Sequence, residues 1–388
     1  MVFSEEQIGK INSYIDNEDF KKLCIELNIC SENDKENLLG KIKEYIENDM
    51  MGKFRGQSAI EKFLRTIEIY LGRDEFKRDE DGYIDYNSVL PLGNSPERTG
   101  LRVGKDILGP DRKRYIVKLA EGFKGSISGF KNSKEARYNP TLAYETFKFL
   151  GEPCSRNLIA YETFPYYYIF SENFVKENER IYGLDDDRFI DAKLFVDEKN
   201  NVTHKQILDG IEKTMSKKNL PSQLIKKVQL QYAVQETLKC LICSMDQNLG
   251  NTSMVVTEGE NGQIKDANIS PAYDIDLSFN LGEEMLKGIP ETQVLYRTTQ
   301  DGKIDLVSLI NEFKDIEGYQ ETLQNIKAKL NGNYIDQIFD MAYEDTRIEK
   351  FNDKSMREKY GNFLMRRVAV FKEACRTTFE RKDKTKTE

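Results

Sequence analysis

The apolar positions of this chain change their spacing along its length. Ile8, Ile11 and Ile15, then Phe20, Leu23, Ile25 and Leu27, then Leu38, Leu39, Ile42, Tyr45 and Ile46 follow a helical period, as do Ile60, Phe63, Leu64, Ile67 and Leu71 ahead of Gly72. They predict a run of short helices. From Leu101 to Ala120 the period shortens: LRVGKDIL and RYIVKLA, parted by Gly109-Pro110-Asp111, read as two strands and a turn. Asn139-Pro140 then opens a helix, with Asn139 as its cap, Gly151 as its stop and Leu142, Ala143, Phe147 and Leu150 as its buried stripe. Leu158 to Tyr161 and Tyr166 to Phe170 form a strand pair, after which Ser171-Glu172-Asn173 is read as a connection. Beyond it the helical period returns. It runs through Ser222 to Cys240 with one buried face, and again through Leu306 to Leu330, Tyr334 to Tyr343 and Met356 to Phe379. Residues 381–388 (RKDKTKTE) read as a disordered tail.

With 388 residues the chain exceeds the span of about 50–250 that one domain organises, so two or three packed units are expected. Its net charge of −8 disfavours nonspecific nucleic-acid binding. The opening MVFSEEQIGK is acidic rather than signal-like, and no apolar run reaches the ~18 residues of a spanning helix, so a soluble, cytoplasmic protein that binds no membrane is expected. The six cysteines are scattered without a disulfide framework, in keeping with a reducing compartment. Cys240 and Cys243 make a lone CxxC, which on a helix predicts burial rather than zinc or redox work. Asp79 to Asp85 (DEDGYID) imitates the middle of a calcium loop, but Lys77 and Ser88 occupy its end positions, so a turn leading to Tyr86 is expected.

The chemistry concentrates between Cys243 and Phe279. A buried helix delivers Asp246; Gly250 permits a bend; Asn251 precedes the strand-forming Met254, Val255 and Val256. Asn261-Gly262 supplies a hairpin turn, and Ile264 to Ile269 returns toward Pro271 and Asp274. This order would bring Asp274 back beside Asp246. An isolated Asp and Asn five residues apart would be an ordinary loop cap. Followed by a hairpin and a further Asp, they are the groups phosphoryl transfer needs: Asp246 to accept the proton of an attacking hydroxyl, Asn251 and Asp274 to offer hard oxygen ligands to magnesium, with Asp276 a secondary candidate.

MDQNLGN followed by ISPAYDIDLSF resembles the catalytic loop and metal-binding segment of HipA-like serine/threonine kinases, whose pattern is D-x-H-x-x-N and then P-x-Y-D; CotH-like and phosphoinositide kinases share related motifs. Asn248 stands where that family usually has His, and the single histidine of the chain, His204, lies far upstream. Asn248 can support the loop by a hydrogen bond but cannot ionise. The resemblance implies an α+β, bilobal protein-kinase-like fold with a small β-rich lobe and a large helical one. Boundaries are expected at 1–90 for a helical cap or adaptor, 91–174 for the first lobe, 175–380 for the second and 381–388 for the tail. It implies ATP and Mg2+, a protein substrate, a toxin-like role and an antitoxin-like protein partner. Lys118 would reach the nucleotide phosphates and Glu145 would orient it, where the plain alternatives are an edge-strand lysine and an exposed glutamate. Backbone amides at Gly93 and Gly100, within LGNSPERTG, would line the phosphates. Two other readings stay open: a small-molecule or lipid kinase on the same scaffold, and a non-catalytic nucleotide-binding adaptor.

Overall fold

The structure is a computed structural model that describes residues 76–94, 105–119, 136–183, 203–244, 251–279, 297–299 and 302–380, with 87–88, 110, 112, 164–165, 177–178, 260–262 and 276–277 excepted. The helical periods between Ile8 and Leu71, and the tail, lie outside the described residues. The chain divides into two compact units, Met1–Leu119 with Leu158–Asn173, and Ala120–Asn157 with Phe174–Glu388.

The first unit is built on a mixed sheet of six strands, β1 (Ile84–Asp85), β2 (Leu90–Asn94), β3 (Lys105–Leu108), β4 (Arg114–Leu119), β5 (Asn157–Thr163) and β6 (Tyr166–Glu172), in the order β1-β5-β6-β4-β3-β2. The strand read in RYIVKL is present as β4, and Tyr115 and Val117 point into a core with Ile84, Val89, Ile107, Leu158, Ala160 and Phe170. Ser171 and Glu172, expected as a connection, instead finish β6, and the Asn173 amide still donates to the Arg114 carbonyl at 2.8 Å. The DEDGYID stretch is the expected turn. Asp79 Oδ1 accepts from the amides of Asp81 and Tyr83 at 3.1 and 2.9 Å, Gly82 takes φ 89, and Ile84 enters the sheet parallel to β5.

The second unit holds seven described α-helices, namely α1 (Asn139–Leu150), α2 (His204–Lys217), α3 (Ser222–Leu241), α4 (Leu306–Phe313), α5 (Tyr319–Lys329), α6 (Tyr334–Thr346) and α7 (Lys354–Cys375), beside a sheet of β7 (Glu179–Gly183), β8 (Ser253–Glu258) and β9 (Ile264–Ile269). A two-strand ribbon, β10 (Arg297–Thr299) and β11 (Gly302–Ile304), precedes α4. The single helix expected from Leu306 to Leu330 is two, because Gly318 turns left-handed at φ 82 between α4 and α5. Asn139 does not cap α1. It is the first helical residue, Tyr138 precedes it as cap, and its Oδ1 accepts a 2.6 Å hydrogen bond from the Tyr360 hydroxyl of α7. A side chain used for long-range docking is no longer available to its own helix end.

At the other end of α1 the expected stop is observed. Gly151 adopts φ 83; its amide donates to the Lys148 carbonyl and the Glu152 amide to the Phe147 carbonyl, the paired closure of a left-handed helix end. A Cβ there would also lie 2.6 Å from Lys329 Nζ, which donates to the Leu150 carbonyl. Gly151→Ala should therefore lower stability by about 1–2 kcal/mol, read as a shift in the urea midpoint at unchanged slope.

Candidate active site

The polar hairpin foreseen between Asn251 and Pro271 is present as β8 and β9, paired antiparallel with Met254 opposite Ile269 and Val256 opposite Ala267. Antiparallel pairing returns the chain to the end it left. Asn251 stands two residues before β8 and Asp274 five residues after β9, so both occupy the same end of the hairpin. Two contacts hold that end together: the Ser270 amide donates to the Ser253 carbonyl at 2.8 Å, and the Tyr273 and Ser253 hydroxyls share a hydrogen bond of 2.5 Å. Asp246, Asn248, Asp276 and Gly100 lie outside the described residues, but the segments bounding Asp246, Asn248 and Asp276 meet. The Phe279 amide donates to the carbonyl of Ile242 at 2.8 Å, which joins the chain after Asp274 to the chain entering the Asp246 loop.

Backbone strain gathers at the same place. Cys243, Asp274 and Phe279 take φ values of 50, 55 and 50, three of the five described non-glycine residues with positive φ. For a side chain as large as Phe279 this conformation is an outlier that packing must hold, and strain of this kind clusters at functional sites. The packing is visible. Phe279 is buried edge-on to Tyr360 and Phe363, and the buried Arg367 donates from Nη2 to the Cys240 carbonyl at 2.7 Å and from Nε to the Leu241 carbonyl at 3.3 Å. A guanidinium on the last carbonyls of α3 completes the helix end and offsets its dipole. Cys240 and Cys243 are buried thiols outside any disulfide, and burial raises the Cys240 pKa.

The groups that hold the hairpin were not foreseen. α3 was expected to bury one face, but every residue from Tyr232 to Leu241 is buried, Gln235, Glu236 and Lys239 among them. Gln231 accepts from the Ile269 amide at 3.0 Å and donates to Asn268 Oδ1 at 3.1 Å; Gln235 donates to the Ser270 carbonyl at 2.7 Å. Lys239 Nζ reaches Glu236 Oε1 at 3.1 Å, Thr252 Oγ1 at 2.8 Å and the Asn251 carbonyl at 3.3 Å. Gln231, Gln235 and Lys239 share one row of the helix, at intervals of four.

Asn251 Nδ2 is buried and has no hydrogen-bond partner among the described residues. Turning the amide over exchanges nitrogen for oxygen, and an amide oxygen with no donor among the described residues is a hard ligand of the kind magnesium takes. Asn251 and Asp274 carry oxygen donors of the chemistry a divalent ion takes, on the same end of the hairpin. Among the described residues no group of three or more His, Cys, Asp or Glu side chains is placed to hold a metal.

In the first unit Lys118 lies on β4, which runs between β6 and β3, so it is not an edge-strand lysine. It faces away from the aromatic core, opposite Ile169, and is 6% exposed. Gly93 is in β2 rather than in a loop, at a bulge between Pro91 and Gly93. Glu145, in the second unit, is fully buried on α1 rather than exposed. Lys148 Nζ approaches its Oε2 at 3.2 Å, yet neither carboxylate oxygen makes a hydrogen bond. Burial raises its pKa from 4.5 to about 7 against the attraction of Lys148, and Asp345, itself paired with Arg156 at 2.7 Å, adds to the rise.

No family model matches the chain, and no curated protein matches it by sequence. Solved structures do. The Helicobacter pylori proinflammatory kinase CtkA superposes with a TM-score of 0.52 at 12% identity, over 71% of this chain and 94% of that one. HipA of Shewanella oneidensis MR-1, in complex with HipB and operator DNA, gives 0.39 at 13% identity over 76% and 68%, and the Golgi casein kinase with Mn and ADP gives 0.40 at 11% over 98% and 92%. The CtkA likeness shows the fold: an α+β protein-kinase-like fold, as the motifs implied. No described helix is long and apolar enough to cross a membrane.

An acid whose pKa is raised on folding holds its proton more tightly in the folded state, so stability falls as pH climbs from the unfolded toward the folded value. Urea titrations should show this loss between pH 4.5 and about 7. Glu145→Gln, which removes the titration, should flatten that part of the profile and leave the variant the more stable protein at pH 8.

Proposed function

We propose that the chain is a HipA-like kinase that transfers the γ-phosphate of ATP to a serine or threonine hydroxyl of a protein. The observation that carries this reading is the placement of Asn251 and Asp274 at one end of a hairpin, with the Phe279 to Ile242 hydrogen bond joining them to the loop of Asp246. Asp246 orients the acceptor hydroxyl and takes its proton; a carboxylate is ionised at neutral pH and needs no shifted pKa for the task. Asn251 and Asp274 hold magnesium, which when bound neutralises charge on the phosphate oxygens. Lys118 binds the α- and β-phosphates, Glu145 orients it, and Gly93 and Gly100 offer backbone amides. Asn248 supports the loop through a neutral hydrogen bond where the family uses His. The same resemblance supports a toxin-like role in the cytoplasm with an antitoxin-like protein partner, while the net charge of −8 argues against direct nucleic-acid binding.

The test is incorporation of labelled phosphate from ATP into candidate protein acceptors. Asp246→Asn and Asp274→Asn should each reduce it about 100-fold or more at unchanged circular dichroism. Full turnover in either variant overturns the assignment. ATP consumption by the wild type with no protein acceptor present would redirect it to a small molecule.

A further inference from the structure

Charged groups are rarely taken into a protein interior without a use, because the lost hydration exceeds what a single partner returns. The Glu236–Lys239 pair is buried, at 8% and 6% side-chain exposure, and Lys239 spends its three ammonium protons on Glu236, the Thr252 hydroxyl and the Asn251 carbonyl. Two of the three acceptors belong to the short turn that presents Asn251. Further back on the same row of α3, Gln235 and Gln231 grip Ser270, Ile269 and Asn268, and at the exposed end Lys227 pairs with Asp266 at 2.9 Å. The row thus crosses from solvent to the candidate site, and only its Lys239 end touches a proposed ligand residue.

We propose that the Glu236–Lys239 pair is the positioning device of the metal site: it clamps the backbone at Asn251 and Thr252 onto α3 and so fixes the direction of the Asn251 amide, while Gln231 and Gln235 keep the hairpin in register. The inference rests on the reading of Asn251 as a magnesium ligand. The pair is assigned a positioning role, with no contact of its own to substrate or ion. Its effect passes through the Asn251 backbone.

Three full-length proteins separate this from a role in packing alone: Lys239→Met, the double variant Glu236→Met with Lys239→Met, and Lys227→Met at the solvent end. Each is measured for amide hydrogen exchange at 251–254 without metal, for Mn2+ affinity by electron paramagnetic resonance with a non-hydrolysable ATP analogue, and for urea stability. Lys239→Met should speed exchange at those amides and weaken Mn2+ binding about 10–100-fold, the usual effect of losing a group that orients a ligand. The double variant, which leaves no unpaired charge inside, should regain stability but neither protection nor affinity. Lys227→Met should keep both. If the double variant recovers wild-type affinity and protection, or Lys239→Met never loses them, the inference is wrong and the kinase reading stands. If the wild type takes up no Mn2+ at all, the kinase reading itself fails, and the inference with it.

Discussion

The candidate site depends on one buried contact, the grip of α3 on the β8–β9 hairpin. A hairpin by itself is marginally stable and free to slip. Here its register is set by side chains of a helix that is buried along its second half: the Gln235 bond to the Ser270 carbonyl is buried, and those to the Ile269 amide and the Asn251 carbonyl are part-buried. Arg367 then closes the end of the helix, and Phe279 ties the returning chain to Ile242. Helix, hairpin and the two loop mouths form one connected frame. The strained residues Cys243, Asp274 and Phe279 sit where that frame is tightest.

This arrangement suits phosphoryl transfer, in which the protein does little covalent work and much positioning. A metal ligand on a loose loop would leave its oxygen to wander; Asn251, the proposed ligand, is anchored through its own carbonyl, and its amide nitrogen has no hydrogen-bond partner among the described residues. Glu145 tells a related story. A fully buried carboxylate that makes no hydrogen bond is destabilising as an anion, and such groups are kept at functional sites more often than elsewhere.

Much of this was legible before any coordinates. The strand pattern in RYIVKL foretold β4; Gly151 foretold the end of α1; the Asn-Gly turn and the flanking apolar runs foretold β8 and β9. The residues that were misread are those whose partners are distant in sequence. Asn139 looks like a helix cap because caps are local, and is claimed instead by Tyr360, 221 positions away. Lys227, Gln231, Gln235 and Lys239 recur every four residues, and a polar stripe of that period ordinarily faces solvent. What would have distinguished it is the second half of the helix: there apolar residues also occupy the other faces, so no side remains for water, and polar residues within a stretch buried all round have to meet polar partners.

The central claim is that Asn251 and Asp274 share one divalent ion at the end of the hairpin. Crystals grown with Mn2+ and a non-hydrolysable ATP analogue, examined by anomalous scattering, test it most directly. The account predicts a manganese peak bound by Asn251 Oδ1 and the Asp274 carboxylate, with nucleotide phosphate oxygens completing its shell. A peak elsewhere, or an Asp274 carboxylate turned away from Asn251 with nucleotide bound, would contradict it.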